Sequence, residues 1–211
     1  MIKIEPFEKH AVEYDAWYDK YPAVFESEVE ALQAALPEGD IHGIEVGLGT
    51  GRMALALGLK EGVEPADTMR KIARERGIEV INATAEHLPY KDLHFDFVLM
   101  SSCISYMEEL YLAFQEANRV LKHGGTLVVG FVAKDSIIGK FYEAKRKKSL
   151  FYKQANFYSV EKVSVELINS GFHFLEFSQT LFKNLDEIKD VEPTLKGCDK
   201  GSFIVIKAIK K

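Results

Sequence analysis

The sequence predicts an α/β fold of three layers, with a mostly parallel seven-stranded sheet that ends in an antiparallel hairpin and is preceded by a helical N-terminal lid. Three observations predict it. From residue 41 to residue 132, short apolar runs alternate with stretches of helical periodicity, the order that gives parallel strands joined by right-handed crossovers. A glycine loop, Gly47-Leu48-Gly49-Thr50-Gly51, stands where the first of these strands turns into its helix. Finally, Phe172–Leu181 and Ser202–Ile209 alternate like strands and follow one another with no helix between them, as an edge hairpin does.

Each element has its own signal. Ala11, Tyr14, Trp17 and Tyr18 recur at helical spacing within Glu8–Asp19, and a second helix over Phe25–Leu36 is stopped by Pro37 and Gly39. Ile41–Val46 reads as a buried strand, Arg52–Leu59 as a short helix, and Gly62-Val63-Glu64 as a brief strand broken at Pro65. Asp67–Arg76 is helical and closed by Gly77; Ile78–Asn82 is the third strand. Phe95–Met100 is apolar apart from Asp96, which fits a strand covered on both faces. The amphipathic segment Glu109–Leu121 passes through His123-Gly124-Gly125 into the strand Thr126–Val132. Ser159 caps a last helix that ends at Gly171, and a polar connection over 183–201 joins the final two strands. The chain divides within one expected domain, 1–211. Lid helices occupy 1–40, a cofactor-binding core 41–132, an insertion or cap 133–158, and a C-terminal helix and hairpin 159–211.

Bulk properties narrow the function. The 211 residues are 47% hydrophobic and 28% charged, a composition that builds a packed core. No apolar run approaches the ~20 residues of a membrane span, and the charged N-terminus lacks a signal-peptide core. A net charge of −5 argues against a broad nucleic-acid surface. Cys103 and Cys198 lie far apart, and the six histidines form no ligand spacing, so no metal is expected and a cytoplasmic location is.

The glycine loop is the chemical centre. Glycines at a strand-to-helix turn allow a sharp bend and let a ligand approach the backbone, and the helix beyond presents free N–H groups. Taken alone, the loop suits either a dinucleotide or the methionine part of a sulfonium cofactor. Glu64, after the second strand, is placed to accept the two ribose hydroxyls of an adenosine, a role both kinds of fold use.

An ordered set of motifs goes further: Glu45–Gly51, Gly62-Val63-Glu64-Pro65, Ala85-Glu86-His87-Leu88-Pro89-Tyr90, Phe95-Asp96-Phe97-Val98-Leu99, and Arg119-Val120-Leu121-Lys122-His123-Gly124-Gly125. In that order they resemble the class I, Rossmann-like S-adenosylmethionine-dependent methyltransferases, in the small-molecule branch related to ubiquinone/menaquinone-biosynthesis enzymes. The resemblance implies S-adenosylmethionine as cofactor. It implies that Gly47, Gly49 and Gly51 pass close to the methionine moiety, that Glu45 orients the loop or the amino group, and that Glu64 holds the ribose. It places Ala85 and Glu86 at the adenine edge and Ser101 near the sulfonium; Tyr14 and Trp17 become lid residues. Pro65 and Thr84 complete the expected cofactor-binding set. The chain departs from the pattern at Thr84, where many relatives have Asp, and at Tyr106, where histidine is common. It also leaves only 13 positions between Gly51 and Glu64.

The expected partner is a small-molecule methyl acceptor, with neither nucleic acid nor membrane, in a monomer or homodimer. The stretch Met100-Ser101-Ser102-Cys103-Ile104 lacks the N-P-P-[YF]-like motif of enzymes that methylate a flipped base. Tyr106 is the candidate for a polar group near the acceptor, Cys103 reads as a core thiol, and Lys140–Lys153 reads as a solvated amphipathic helix in preference to a substrate-closing insertion. Two other functions stay open at this level: a non-catalytic S-adenosylmethionine-binding regulatory module and an NAD-dependent oxidoreductase.

Overall fold

The computed structural model describes residues 4–211. Its helices are α1 (Glu5–Lys9), α2 (Ala11–Lys20), α3 (Pro22–Ala35), α4 (Arg52–Ala56), α5 (Asp67–Glu75), α6 (Leu110–Val120), α7 (Ile137–Lys145) and α8 (Val160–Asn169). Its strands are β1 (Gly43–Val46), β2 (Glu61–Val63), β3 (Glu79–Ile81), β4 (Phe95–Ser101), β5 (Leu121–Val132), β6 (Phe172–Thr180), β7 (Leu195–Lys196) and β8 (Phe203–Lys210). They form one sheet in the order β3-β2-β1-β4-β5-β8-β6-β7. The first five run parallel; β8 lies antiparallel between β5 and β6.

Strand periodicity explains the layers. Along β4, Val98 and Met100 face one side, where they meet Phe114 and Ala117 of α6 and Val163 and Leu167 of α8. Phe97 and Leu99 face the other, against Ala31 and Leu32 of α3 and Ile138 of α7. Each of these large side chains contributes about 1.5–3 kcal/mol through burial. Caps set the later helices: Ser136 Oγ accepts from Gly139 N at 3.0 Å, and Ser159 Oγ from Lys162 N at 3.2 Å.

Two elements differ from the sequence reading. The helix expected over Glu8–Asp19 is two helices broken at His10, whose φ of −133° and ψ of 34° are not helical. The break lets α1 lie on α5, where Glu8 accepts hydrogen bonds from the Asp67 and Thr68 amides. The sheet also has eight strands instead of seven. The extra strand, β7, is two exposed residues inside the polar connection, too short to leave a pattern. It is held by the buried Gln179, whose Nε2 donates to Lys196 O at 3.2 Å and whose Oε1 accepts from Gly201 N at 2.6 Å. No helix among the described residues is long and apolar enough to cross a membrane.

Candidate active site

Because β1, β2, β3 and β4 are parallel, their C-terminal ends deliver four connections to one edge of the sheet. These are the glycine loop after β1, Glu64-Pro65 after β2, Ala83–Glu86 after β3, and Ser101–Cys103 after β4. Together with Ile4, Phe7 and Tyr14 above them, they line a cleft of about 710 Å³ that is partly open to solvent.

The loop leaves β1 with Gly47 N and Leu48 N both donating to Val63 O, at 2.8 and 3.2 Å. Gly47 and Gly49 take φ of 71° and 57°, in the left-handed region. A Cβ on Gly47 would stand 2.6 Å from Cys103 Cβ, whereas one on Gly49 would meet only Tyr14 Cε1, at 3.7 Å, and so would occupy the cleft. Gly51 turns away from the cleft and abuts Ile78 and Ala73.

Two carboxylates flank this loop, both buried. Glu64 Oε2 accepts from Gly49 N at 3.0 Å and Oε1 from Ala66 N at 2.8 Å. Burial outweighs those bonds and pushes its pKa up to about 7. Glu45, 1% exposed, is raised well above the carboxylate range by burial, and among the described residues its Oε2 has no partner. Arg70, also buried, holds the wall behind them: its Nη1 donates to Glu64 O, Pro65 O and Asn82 Oδ1 at 2.9, 2.7 and 3.1 Å.

The roof is fastened at two points. Glu8 clasps the first turn of α5 through the Asp67 amide and through the Thr68 amide and hydroxyl, the last two at 3.1 and 2.9 Å. Asp15 of α2 accepts from Thr50 Oγ1 at 2.6 Å, from Arg52 Nη2 at 2.8 Å and from Arg76 Nη2 at 2.7 Å. Burial raises the Asp15 pKa, but the hydrogen bonds from Arg52, Arg76 and Thr50 overcome it and hold the carboxyl well below its usual range. Between these anchors lies an aromatic contact set. The Phe7 ring meets Tyr106 edge-on at 4.7 Å and stacks on Phe151 at 5.8 Å, and Tyr14 meets Phe151 at 5.6 Å.

Of the residues named from sequence, Gly47, Gly49, Glu64, Pro65, Thr84, Ala85, Glu86, Ser101, Tyr14 and Tyr106 line the cleft; Glu45, Gly51 and Trp17 do not. Trp17 packs against Tyr18 and Tyr21, both at 5.4 Å. The Glu86 carboxylate turns outward to accept from Glu108 N at 2.9 Å. Cys103 reaches the cleft wall, yet its thiol donates to Val46 O at 3.1 Å and burial raises its pKa, so it is an inert wall atom. The basic segment 140–153 is two-sided: its lysines are exposed while Tyr142 is buried and Phe151 faces the roof. Sequence reasoning missed Phe7, Met69 and Met107 in the lining, along with the anchors Glu8 and Asp15. An acid three residues before an aromatic-rich helical face carries no local signal, so only the packed lid reveals it.

A family model for a methyltransferase domain matches residues 44–129. The crystal structure of an S-adenosylmethionine-dependent methyltransferase of Thermotoga maritima, a possible histamine N-methyltransferase, superposes with a TM-score of 0.94. It is 42% identical, and the match covers 98% of this chain and 98% of that one. The chain belongs to the S-adenosylmethionine-dependent methyltransferases. This methyltransferase is also 43% identical over 204 residues to the uncharacterised protein MJ1123 of Methanocaldococcus jannaschii, across 97% of the chain and 98% of the relative. A ubiquinone/menaquinone biosynthesis C-methyltransferase of Campylobacter jejuni is 29% identical over 144 residues, 58% of this chain and 61% of that one.

The cleft of this methyltransferase suits its cofactor. The Gly49 backbone is bare on the cleft side, so an extended ligand can lie against it. Among the described residues no donor meets Glu45 Oε2, which lies buried behind the loop and not on the cleft surface. The acid after β2 stands one strand along the same edge from the wall formed by Thr84 and Ala85 after β3.

Proposed function

We propose that this methyltransferase passes the methyl group of S-adenosylmethionine to a small-molecule acceptor held beneath the lid. The observation that carries this reading is the aromatic cover over the cleft. Phe7 and Tyr14 close it from the N-terminal helices and Phe151 from the cap, which leaves an aromatic-walled space suited to a small organic group. The net charge of −5 supports it, since a polyanionic acceptor would meet repulsion. The Thermotoga maritima and Campylobacter jejuni proteins carry the names of enzymes that act on small molecules.

When bound, the cofactor supplies an activated methyl group on a sulfonium; the chain's own work is to bind, align and exclude water. In this reading Glu64 exchanges its bonds to Gly49 N and Ala66 N for the ribose hydroxyls. Glu45 and the glycine loop hold the methionine end, Pro65, Thr84, Ala85 and Glu86 frame the adenosine, and Ser101 lies by the sulfonium. Tyr14 and Tyr106 press the acceptor toward the methyl group. Trp17 supports Tyr14 from behind, through Tyr18.

Calorimetric titration with S-adenosylhomocysteine and NADH, followed by screening acceptors for methyl transfer, tests the proposal. Micromolar binding of the first, none of the second, and methylation of a small molecule is the expected result. The ribose role has its own test. Glu64→Ala removes a charged acceptor from two hydroxyls, which costs about 1.5–3 kcal/mol, or roughly 10- to 150-fold in cofactor affinity. Unchanged affinity would overturn the ribose role of Glu64.

A further inference from the structure

The connection after β2 cannot be held by backbone pairing. Glu64 N donates to Ile81 O at 3.1 Å, the last rung of the ladder between β2 and β3. Pro65 follows, and without an N–H it adds no further rung. There the two chains part, one turning into α5 and the other running on to Ala83, Thr84 and Ala85 on the cleft wall. Arg70 of α5 takes over from the ladder. Its Nη1 donates to Glu64 O at 2.9 Å, to Pro65 O at 2.7 Å and to Asn82 Oδ1 at 3.1 Å, so one nitrogen holds both connections.

Arg70 is a costly occupant of its position. It is 6% exposed, the one buried arginine among the described residues, on a helix face it shares with Met69 and Ala73. A guanidinium resists burial unless acceptors meet its N–H groups, and an apolar side chain would fill the same space without that cost. Its Nη2 reaches Asp67 Oδ1 at 2.9 Å, but Asp67 is half exposed and water screens it. Glu64 is the buried acid within its reach: the carboxylate lines the cleft, on the same residue whose carbonyl Nη1 holds. The other titratable groups around that carboxylate are Glu8 of α1, Glu45 of β1, Tyr14 of α2 and Cys103 after β4. The two acids oppose its ionisation, and burial keeps the hydroxyl and the thiol protonated. Arg70 is the cation of the set and favours the ionised form.

A carboxylate that accepts two ribose hydroxyls has to be ionised, and it has to stand in fixed register with the surface that frames the base. We propose that Arg70 is the positioning residue of the cofactor site: its guanidinium sets the Glu64 turn against the adenosine wall and supplies the buried countercharge of the Glu64 carboxylate. This rests on the reading above that Glu64 holds the ribose. Methionine at position 70 could pack the helix but do neither task. Lysine could supply the charge without the planar fork that spans both connections. Burial outweighs the hydrogen bonds and Arg70 in the empty site and leaves the Glu64 pKa at about 7. A neutral-pH cofactor therefore meets a carboxylate poised at its titration point, where the loss of one nearby cation is felt.

The experiment is calorimetric titration with S-adenosylhomocysteine between about pH 6 and about pH 9, on the wild type, Arg70→Gln, Arg70→Lys and Glu64→Gln. Wild-type affinity is expected to rise with pH to a step near 7 and then level. Arg70→Gln should move that step upward by about one pH unit, so that its loss of affinity is about tenfold larger at pH 6 than at pH 9. Arg70→Lys should leave the step near its wild-type pH and lower the level stretch by about threefold or more. Glu64→Gln should bind more weakly than the wild type at pH 9 and show no step. An Arg70→Gln loss that is equal at the two pH values would mark a merely structural arginine and overturn the proposal. So would an Arg70→Lys protein that binds as the wild type does throughout, a comparison that stands even where Arg70→Gln fails to fold. Both of those results leave the ribose role of Glu64 intact. Glu64→Gln binding as tightly as the wild type at pH 9 would overturn that role and the proposal with it.

Discussion

Asp15→Ala is expected to cost about 2–3 kcal/mol of stability, lowering the melting temperature by roughly 5–10 °C for a chain of this size. The reason is what it leaves behind. Arg52 and Arg76 are only 25% and 21% exposed, and both donate to Asp15, whose own side chain is 15% exposed. After the substitution Arg52 keeps Asp19, a largely exposed partner, and Arg76 keeps the Thr50 carbonyl. Two guanidinium groups then share a half-buried space with one screened countercharge. Because Asp15 also ties α2 to Thr50 in the glycine loop, the lid loosens with it, and cofactor affinity should fall about tenfold. Glu8→Ala is the comparison: it removes a clasp from the first turn of α5 without stranding a charge, and should cost only about 1 kcal/mol. Thermal melts and cofactor titrations of the two variants, side by side, decide the matter. Equal melting temperatures for Asp15→Ala and wild type would mean that the network is too solvated to matter.

Glu28 is 6% exposed on the buried face of α3, and Glu28→Gln is expected to act in the opposite direction, increasingly as the pH rises above about 4.5. Burial pushes the Glu28 pKa up to about 8 in the folded protein, against an ordinary value of 4.5. The folded state therefore binds more protons than the unfolded state between those values, so this group's contribution is fully present below about pH 4.5 and is lost as pH rises through 8. The full difference is worth at most about 5 kcal/mol at alkaline pH, and glutamine, which never ionises, avoids it. Denaturant melts should thus superpose near pH 4.5 and separate progressively toward pH 9, with the variant the more stable. The tyrosines around Glu28 stay protonated over this range, since burial raises the pKa of Tyr18, Tyr142 and Tyr152 as well. Parallel curves for the two proteins across that pH range would show that Glu28 reaches water in the folded state.

The part of the site built on strand ends was legible in the sequence because each contribution is local. A glycine loop or an acid placed directly after a strand inherits its location from the sheet, and the sheet is announced by its apolar runs. The lid is different. Tyr14 and Trp17 share a helix face by spacing, but which end of that face reaches the cleft depends on how α2 sits. In the fold Tyr18, one turn beyond Tyr14, continues the line toward the interior while Trp17 turns to Tyr21. The same limit hid the break at His10, which exists because Glu8 has a partner 59 residues away. Glu28 did leave a trace: an acid at an inward position between Val24 and Ala31 interrupts the apolar stripe of α3. β7 left none, since pairing of two exposed residues is enforced by Gln179 and not by its own side chains.

The wide sheet has two unlike borders, since β7 pairs with only Ser178 and Gln179 of the nine-residue β6. One border is β3, of three residues, and the other is β7, of two. At about 3.3 Å per residue, these offer ribbons of roughly 10 and 7 Å to an incoming strand. A neighbouring chain could gain only a bond or two from either ribbon, so a strand that adds to this sheet would do so along the part of β6 that β7 leaves uncovered.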